Sequence, residues 1–185
     1  GVPDQLVQTA IDTWGKIDII VNNAGYTLDA PIHKMSDDWF QRMLDIHLVA
    51  PFRIIRAAAP HLREPAKKEK EEGREVFRKI VNISSTSGVM GNAGQANYAA
   101  GKNGIVGLTK TLAKEWGQFK VNCNAVAFGF VGEDETDTTK PAKATETSTT
   151  AEPSDRVSHR YFPRRPVPVI VMSSRRAARS AGPAS

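Results

Sequence analysis

Near the start of the chain, apolar positions first have the spacing of a helix and then that of a strand. Between Pro3 and Gly15 the apolar side chains recur on one helical face, and Gly15 is placed to end the helix. The residues that form this face are Leu6, Val7, Ala10, Ile11 and Trp14. The following segment, Ile17 to Val21, is too short for a helix and is dominated by Ile and Val, which predicts a buried parallel strand.

A second helix is predicted after Ser36, which can cap it, with Asp37 and Asp38 in its first turn. We expect Pro51 to bend this helix and Pro60 to end it. Its apolar positions include Phe40, Met43, Leu44, Leu48, Phe52 and Ile55. Residues 63–79 hold twelve Lys, Arg or Glu in seventeen positions, which favours a solvated helix end and loop over a buried element.

The remaining pattern repeats the cycle of strand and helix. Val76–Ile83 is predicted as the second strand, a Gly-rich loop runs through Gly94, and a long helix covers about 97–116. Val121–Ala127 is predicted as the third strand. Helices and strands alternating at this spacing favour right-handed crossovers, and the predicted fold class is α/β with a parallel sheet.

The C-terminal segment 132–185 differs from the preceding domain, residues 1–131. Residues 132–150 include seven Thr, and residues 151–185 hold seven Arg, no Lys and two acids, so the whole net charge of +5 lies there. We expect this low-complexity tail to be disordered. The run 167–172 could form a strand, but Pro166 and Pro168 argue against a central one.

Two other interpretations of the tail follow from its composition. An Arg-rich arm could bind nucleic acid, but interleaved aromatic residues are limited to Tyr161 and Phe162, so this function is disfavoured. The abrupt loss of Lys and of periodicity is also what an altered reading frame would produce.

Composition restricts the environment of the protein. With Cys123 as its one cysteine, the chain can form neither an intrachain disulfide nor a cysteine-built zinc site, and no metal site is predicted. No stretch approaches the roughly 20 apolar residues of a membrane helix. We therefore expect a soluble, cytoplasmic protein that does not engage a membrane. Because the first residue is Gly1 rather than Met, the natural start can lie upstream, and organellar targeting stays open.

Three residues have a spacing that suggests catalysis. Tyr98 and Lys102 are four apart on a predicted helix, so both project from one face, and Ser85 lies thirteen residues before Tyr98 at the end of a predicted strand. Tyr-x-x-x-Lys occurs by chance in roughly one such chain in five, and adding the serine lowers this to roughly one in a hundred. Taken singly, Tyr98 could simply pack on the sheet.

The sequence around these residues resembles the short-chain dehydrogenase/reductase family over roughly residues 4–131. The matching stretches are Asn22-Asn23-Ala24-Gly25, Ile83-Ser84-Ser85, Gly94-Gln95-Ala96-Asn97-Tyr98-Ala99-Ala100-Gly101-Lys102 and Gly104. Within the family they look most like 3-oxoacyl-acyl-carrier-protein reductases. The resemblance implies a partial Rossmann fold and hydride transfer between NADP or NAD and a carbonyl, such as that of a 3-oxoacyl thioester.

The resemblance also assigns roles to individual residues. Tyr98 is the implied general acid and base, Lys102 the cation that favours its phenolate, and Ser85 the partner of the substrate oxygen. The implied cofactor-binding residues are Asn23, Ala24, Gly25, Tyr98, Lys102 and Val131. Taken alone, the asparagines could instead form an Asx turn at the strand end.

The chain also departs from the family pattern at several places. His47 occupies the position of a family Asn that supports a proton relay, so His47 is either a catalytic relay residue or a packed helix histidine. Phe128-Gly129 replaces a Pro-Gly pair, and Glu133 replaces a Thr. The Gly-rich phosphate-binding turn is absent, and we expect the first three strands and two helices of the family domain to precede residue 1. The residue that distinguishes NADH from NADPH lies in that part, so the sequence does not predict which of the two is used.

These departures keep two further hypotheses open. The chain could be a catalytically silent fragment or interaction module that forms a homo-oligomer through the two long helices, about 38–60 and 97–116. Alternatively, a three-stranded sheet with both edges exposed could be too small to fold stably.

Overall fold

The computed structural model describes residues 1–129 and the backbone of residues 169–172. Its helices and strands follow the predicted alternation. They are α1 (Val2–Trp14), β1 (Ile19–Asn22), α2 (Asp37–Leu44), α3 (Ala50–Glu71), β2 (Arg78–Ser85), α4 (Thr86–Met90), α5 (Ala96–Trp116), β3 (Val121–Phe128) and β4 (Val169–Met172). A π-helical turn, Asp45–Val49, joins α2 to α3, and Gly15 ends α1 with a positive φ of 72°, as predicted.

The four strands form one parallel sheet in the order β3-β2-β1-β4. Val21 of β1 pairs with Val81 of β2, and Ile80 of β2 pairs with Cys123 of β3. The predicted α/β class with a parallel sheet and flanking helices is therefore confirmed.

Strand β4 lies at the edge of the sheet beside β1, where Ile19 pairs with Val169. The expected three-stranded sheet with both edges exposed is therefore wrong, because β4 covers the free edge of β1. Its edge position agrees with the expectation that two prolines exclude a central strand. These four residues also depart from the disorder expected for 132–185, and the rest of that segment, with Val131 and Glu133, lies outside the described residues.

Helix α3 continues through Pro60 and Pro65 to Glu71, so the prediction that Pro60 ends it is wrong. A proline inside a helix removes one hydrogen bond and crowds the preceding turn, which costs about 3 kcal/mol. The apolar face of α3 offsets this cost by burying side chains on both sides of Pro60. The buried side chains are those of Ile54, Ile55, Ala58, Leu62 and Ala66.

The segment expected to be solvated, 63–79, also contains buried residues. Arg78, at the start of β2, is only 5% exposed and forms a two-pronged ion pair with Glu69, with N–O distances of 2.6 and 3.1 Å. The charge of this segment therefore stabilises a junction between α3 and the sheet in addition to facing solvent, which composition alone did not predict.

The core lies between one face of the sheet and helices α1, α3 and α5. Burial alternates along β2, because Ile80, Asn82 and Ser84 face the helices and their neighbours are more exposed. Since parallel strands end at the same edge, the ends of β1, β2 and β3 lie together, and α5 begins beside them. This edge carries the predicted site residues.

Candidate active site

Ser85 is the last residue of β2 and caps the short helix α4. Its Oγ accepts a 3.2 Å hydrogen bond from the backbone N–H of Ser87. A hydroxyl that accepts at one lone pair keeps its own proton for a different partner. Ser85, half-buried, can therefore donate to an oxygen in the adjoining cavity.

Tyr98 and Lys102 lie one helical turn apart in α5. The Lys102 ammonium is 5.6 Å from the centre of the Tyr98 ring and donates a 2.7 Å hydrogen bond to the carbonyl of Ile83 at the end of β2. Lys102 is 5% exposed, and burial lowers the pKa of its ammonium to about 8. One of its three N–H donors is engaged with Ile83, which leaves two for a ligand.

These side chains converge on one cavity of about 270 Å³, which we call the site cavity. Ser85, Tyr98 and Lys102 all line it, together with Asn23, Gly25 and His47. The geometry therefore brings together six of the residues that the sequence singled out.

A second cavity of about 200 Å³, the polar cavity, adjoins the first. Ser85 and Tyr98 line both cavities, so they lie on the boundary between them. The other side chains around the polar cavity are those of Thr27, Thr86, Ser87 and Gln95. All four carry hydroxyl or amide groups and none carries a charge.

His47 reaches the site cavity from the π-helical turn and is only 3% exposed. Its Nε2 lies 2.8 Å from the carbonyl oxygen of Tyr26, and its ring meets that of Tyr98 edge to face at 4.9 Å. Burial, helped by the positive charge of Lys102, lowers the pKa of His47 to about 4.

The structure does not place every predicted cofactor residue in the site cavity. Ala24 instead lines a neighbouring groove of about 550 Å³, which shares Tyr26 with the site cavity. Phe128 and Gly129, at the end of β3, line the site cavity.

Asn97 has an anchoring role that the sequence did not reveal. Its fully buried side chain donates to the carbonyls of Leu28 (2.9 Å) and Trp39 (3.2 Å) and accepts from the backbone N–H of Tyr98 (2.7 Å). It satisfies a free N–H in the first turn of α5 and fixes Tyr98 to the segment after β1. The signal was an amide residue beside Tyr98 at a helix start.

Asn22 and Ser84 also act in ways that their motifs did not indicate. Instead of forming an Asx turn, Asn22 donates a 2.7 Å hydrogen bond to Asn82 in β2, which in turn donates to Thr109 in α5. Ser84 donates a 2.7 Å hydrogen bond to the backbone carbonyl of Lys102. A Cβ at Gly88 would lie 2.7 Å from the Cβ of Lys102, so this glycine permits α4 and α5 to approach closely.

The described part of the chain contains neither a membrane-spanning helix nor a metal-binding cluster. No helix in this part of the chain is both long and apolar enough to cross a bilayer. The same residues include no group of three His, Cys, Asp or Glu side chains that could hold a metal ion.

Comparison with known proteins gives a family match over most of the chain. A family model described as short chain dehydrogenase matches residues 3–147. A 3-oxoacyl-acyl-carrier-protein reductase of Synechocystis is 42% identical over 135 residues, which cover 72% of this chain and 50% of the relative. The corresponding reductase of Thermotoga maritima is 37% identical over 146 residues, 78% of this chain and 54% of the relative.

A multifunctional enzyme and a solved structure match a similar share of the chain. The peroxisomal multifunctional enzyme type 2 of Mus musculus is 40% identical over 124 residues, 67% of this chain and 16% of that protein. A crystal structure of a short chain dehydrogenase from Mycobacterium avium is 37% identical, with a TM-score of 0.61 over 69% of this chain and 42% of that one. The chain thus spans about half the length of the two reductases.

Proposed function

Because this chain belongs to the short-chain dehydrogenase family, we propose that it serves reversible hydride transfer between NADP or NAD and the carbonyl of a small molecule. The proposal rests on one observation, the convergence of Ser85, Tyr98 and Lys102 on the site cavity. The cofactor, when bound, supplies or accepts the hydride.

The residues of this chain supply the proton and the stabilisation of charge. As a carbonyl carbon gains a hydride, its oxygen gains negative charge, which the Ser85 hydroxyl stabilises by donating a hydrogen bond. Tyr98 gives its phenolic proton to that oxygen and becomes a phenolate beside the Lys102 ammonium. In the reverse direction the phenolate takes the proton back from the alcohol.

The donor set of the site cavity fits a nicotinamide ribose. The two remaining N–H donors of Lys102 suit a pair of ribose hydroxyls, and Asn23 and Gly25 line the same cavity. Val131, the remaining residue of the predicted cofactor set, stays a prediction. The choice between NADP and NAD and a cytoplasmic location also stay predictions.

The polar cavity supports a 3-oxoacyl thioester as the substrate. A 3-oxoacyl group carries a second carbonyl two carbons from the one that is reduced, and that oxygen needs a donor once it leaves water. Thr86, Ser87 and Gln95 offer such donors next to Ser85 and Tyr98. An unbranched ketone without a second oxygen would offer no acceptor to these groups, of which Gln95 already pairs with Asn92 and Asp29.

The test is hydride transfer by the 185-residue chain with a 3-oxoacyl thioester, followed by the loss of NADPH or NADH absorbance. Tyr98→Phe removes the phenolic oxygen and should lower turnover at least a hundredfold, since general acid catalysis contributes about that factor. Equal turnover in both chains, or no turnover in the unaltered chain, would contradict the proposal. The thermal midpoint of each chain shows that both are folded.

A second candidate function is self-association through the two long helices. Trp39 and Phe40 in α2 and Phe52 in α3 are 37%, 38% and 42% exposed, so the first of these helices offers apolar surface to a second copy of the chain. The homo-oligomer proposed on this basis is compatible with catalysis. As the sole function, it predicts association without any binding of NADPH.

A further inference from the structure

The imidazole of His47 fills a slot that has glycine on two sides. A Cβ at Gly25 would lie 2.5 Å from Cε1 of His47, and a Cβ at Gly101 would lie 3.0 Å from its Cβ. Carbon atoms do not approach so closely, so a side chain at Gly25 would force the ring to move, and one at Gly101 would leave it no margin. His47 itself enters from a π-helical turn, a distortion that is frequent at functional sites.

The hydrogen bond to Tyr26 fixes which nitrogen of His47 carries the proton. A backbone carbonyl can only accept, so Nε2, 2.8 Å from the Tyr26 oxygen, is the protonated nitrogen. Nδ1 is then an unprotonated acceptor, buried and without a hydrogen-bond partner among the residues that the structure describes.

This arrangement leaves no route for a proton through the ring. A relay histidine takes up a proton at one nitrogen and releases another from the opposite nitrogen. Here the opposite nitrogen donates to an amide carbonyl, which is not a base. Burial and the charge of Lys102 lower the pKa of His47 to about 4, so the imidazole is neutral near pH 7.

The two ends of the ring contact different parts of the site cavity. Its Nε2 donates to the carbonyl of Tyr26, next to Gly25, and the ring contacts the Tyr98 ring edge to face at an interplanar angle of 85°. We propose that His47 is a positioning residue, a neutral imidazole that fixes the Tyr98 ring against the Gly25–Tyr26 segment and relays no proton. This inference rests on the proposed function, in which Tyr98 is the acid.

Nuclear magnetic resonance of the 185-residue chain labelled with ¹⁵N-histidine tests the tautomer directly. We expect long-range proton–nitrogen correlations of His47 to show protonated Nε2 and unprotonated Nδ1 throughout about pH 5.5 to 9. The exposed His33 is the internal control for the assignment of the labelled histidines. A His47 that titrates there, or that shows protonated Nδ1 or a mixture of tautomers, would overturn the proposal.

Two variants distinguish the two contacts of His47. His47→Phe keeps an aromatic ring beside Tyr98 but removes the donor, so the Thr27 amide, which shares a peptide group with the Tyr26 carbonyl, should shift. His47→Gln keeps a donor but removes the ring, so the Tyr98 ring resonances should shift while the Thr27 amide changes less. His33→Gln is the matched control.

The two variants can also contradict the positioning role of His47. If neither changes the Thr27 amide or the Tyr98 ring more than His33→Gln does, His47 positions neither group. These measurements need no turnover, so they can fail while hydride transfer survives, and they can succeed in a chain that proves inactive.

Discussion

The hydroxyl of Ser84 and the backbone carbonyl of Lys102 are joined by a buried hydrogen bond of 2.7 Å. This bond links the end of β2, one residue before Ser85, to the turn of α5 that carries Lys102. Together with the hydrogen bond from the Lys102 ammonium to the Ile83 carbonyl, it holds the strand end against the helix beside the site cavity.

Ser84→Ala should lower the free energy of unfolding by about 1 to 2 kcal/mol, because it removes the donor in this buried bond. The control is Thr111→Ala, which removes an exposed hydroxyl that bonds a helical carbonyl at 3.1 Å and should cost less than about 0.5 kcal/mol. Urea denaturation of both variants gives the comparison. An equal decrease in the free energy of unfolding for both variants would show that the Ser84 hydrogen bond stabilises the fold no more than an exposed one does.

Lys102 makes the stability of the chain depend on pH. Its pKa is lowered to about 8 in the folded protein, from an ordinary value of 10.5. Between these values the unfolded chain binds a proton that the folded chain has lost, so Lys102 raises the free energy of unfolding as the pH increases from about 8 to 10.5. The buried Cys123 thiol, whose pKa is raised to about 12, partly offsets this rise above about pH 9. Lys102→Met should therefore stabilise the protein at pH 7, although Ile83 loses its hydrogen bond.

The pH dependence distinguishes this effect from a general one. Urea denaturation at about pH 7 and pH 10 should show the rise in stability in the unaltered chain and a smaller rise in Lys102→Met. Lys110→Met, which replaces an exposed lysine of the same helix, should keep the rise. An equal rise in Lys102→Met would mean that another group causes it.

The buried ion pair of Arg78 predicts a large penalty when its partner is neutralised. Arg78 holds the pKa of Glu69 below its usual range, so the carboxylate is charged at neutral pH. Glu69→Gln leaves a 5% exposed guanidinium without its counter-charge and should cost about 3 kcal/mol. Glu72→Gln, which breaks a more exposed pair with Arg74, should cost less than about 1 kcal/mol.

The sequence predicted the order of the elements and the convergence of Ser85, Tyr98 and Lys102, because both follow from local spacing. Apolar periodicity identifies strands that must be parallel, and parallel strands bring their ends to one edge. Tyr98 and Lys102 need only one helical turn to share a face.

The features that were mispredicted or missed depend on distant contacts. Helix α3 continues beyond Pro60 because its C-terminal half buries Leu62 and Ala66. The local effect of a proline on a helix does not take this burial into account. Strand β4 pairs with β1 across nearly the whole chain. The slot of His47 likewise exists only when Gly25 and Gly101 come together from a strand end and a helix.

Self-association can be tested at the exposed apolar side chains of the long helices. Phe52→Glu places a charge on α3 and should weaken an oligomer at least tenfold, a change of about 1.4 kcal/mol. Phe77→Glu, at a 48% exposed phenylalanine outside the helices, is the matched control and should leave association unchanged. Sedimentation equilibrium measures both, and equal weakening would place the contact elsewhere.

The polar cavity predicts which carbonyl compounds the chain prefers. A short 3-oxoacyl thioester and a ketone of equal length without the second carbonyl present the same reacting group, but only the thioester offers an oxygen to Thr86, Ser87 and Gln95. We expect kcat/KM to favour the thioester by about tenfold or more, the effect of one satisfied hydrogen bond. Thr86→Val keeps the shape of the side chain and removes its hydroxyl, so it should reduce this preference while the rate with the plain ketone changes little. Thr111→Val, in an exposed part of α5, should leave the preference intact. Because Ser85 and Tyr98 lie on the boundary of both cavities, equal rates with the two compounds would show that the substrate lies elsewhere, even if Tyr98 remained essential.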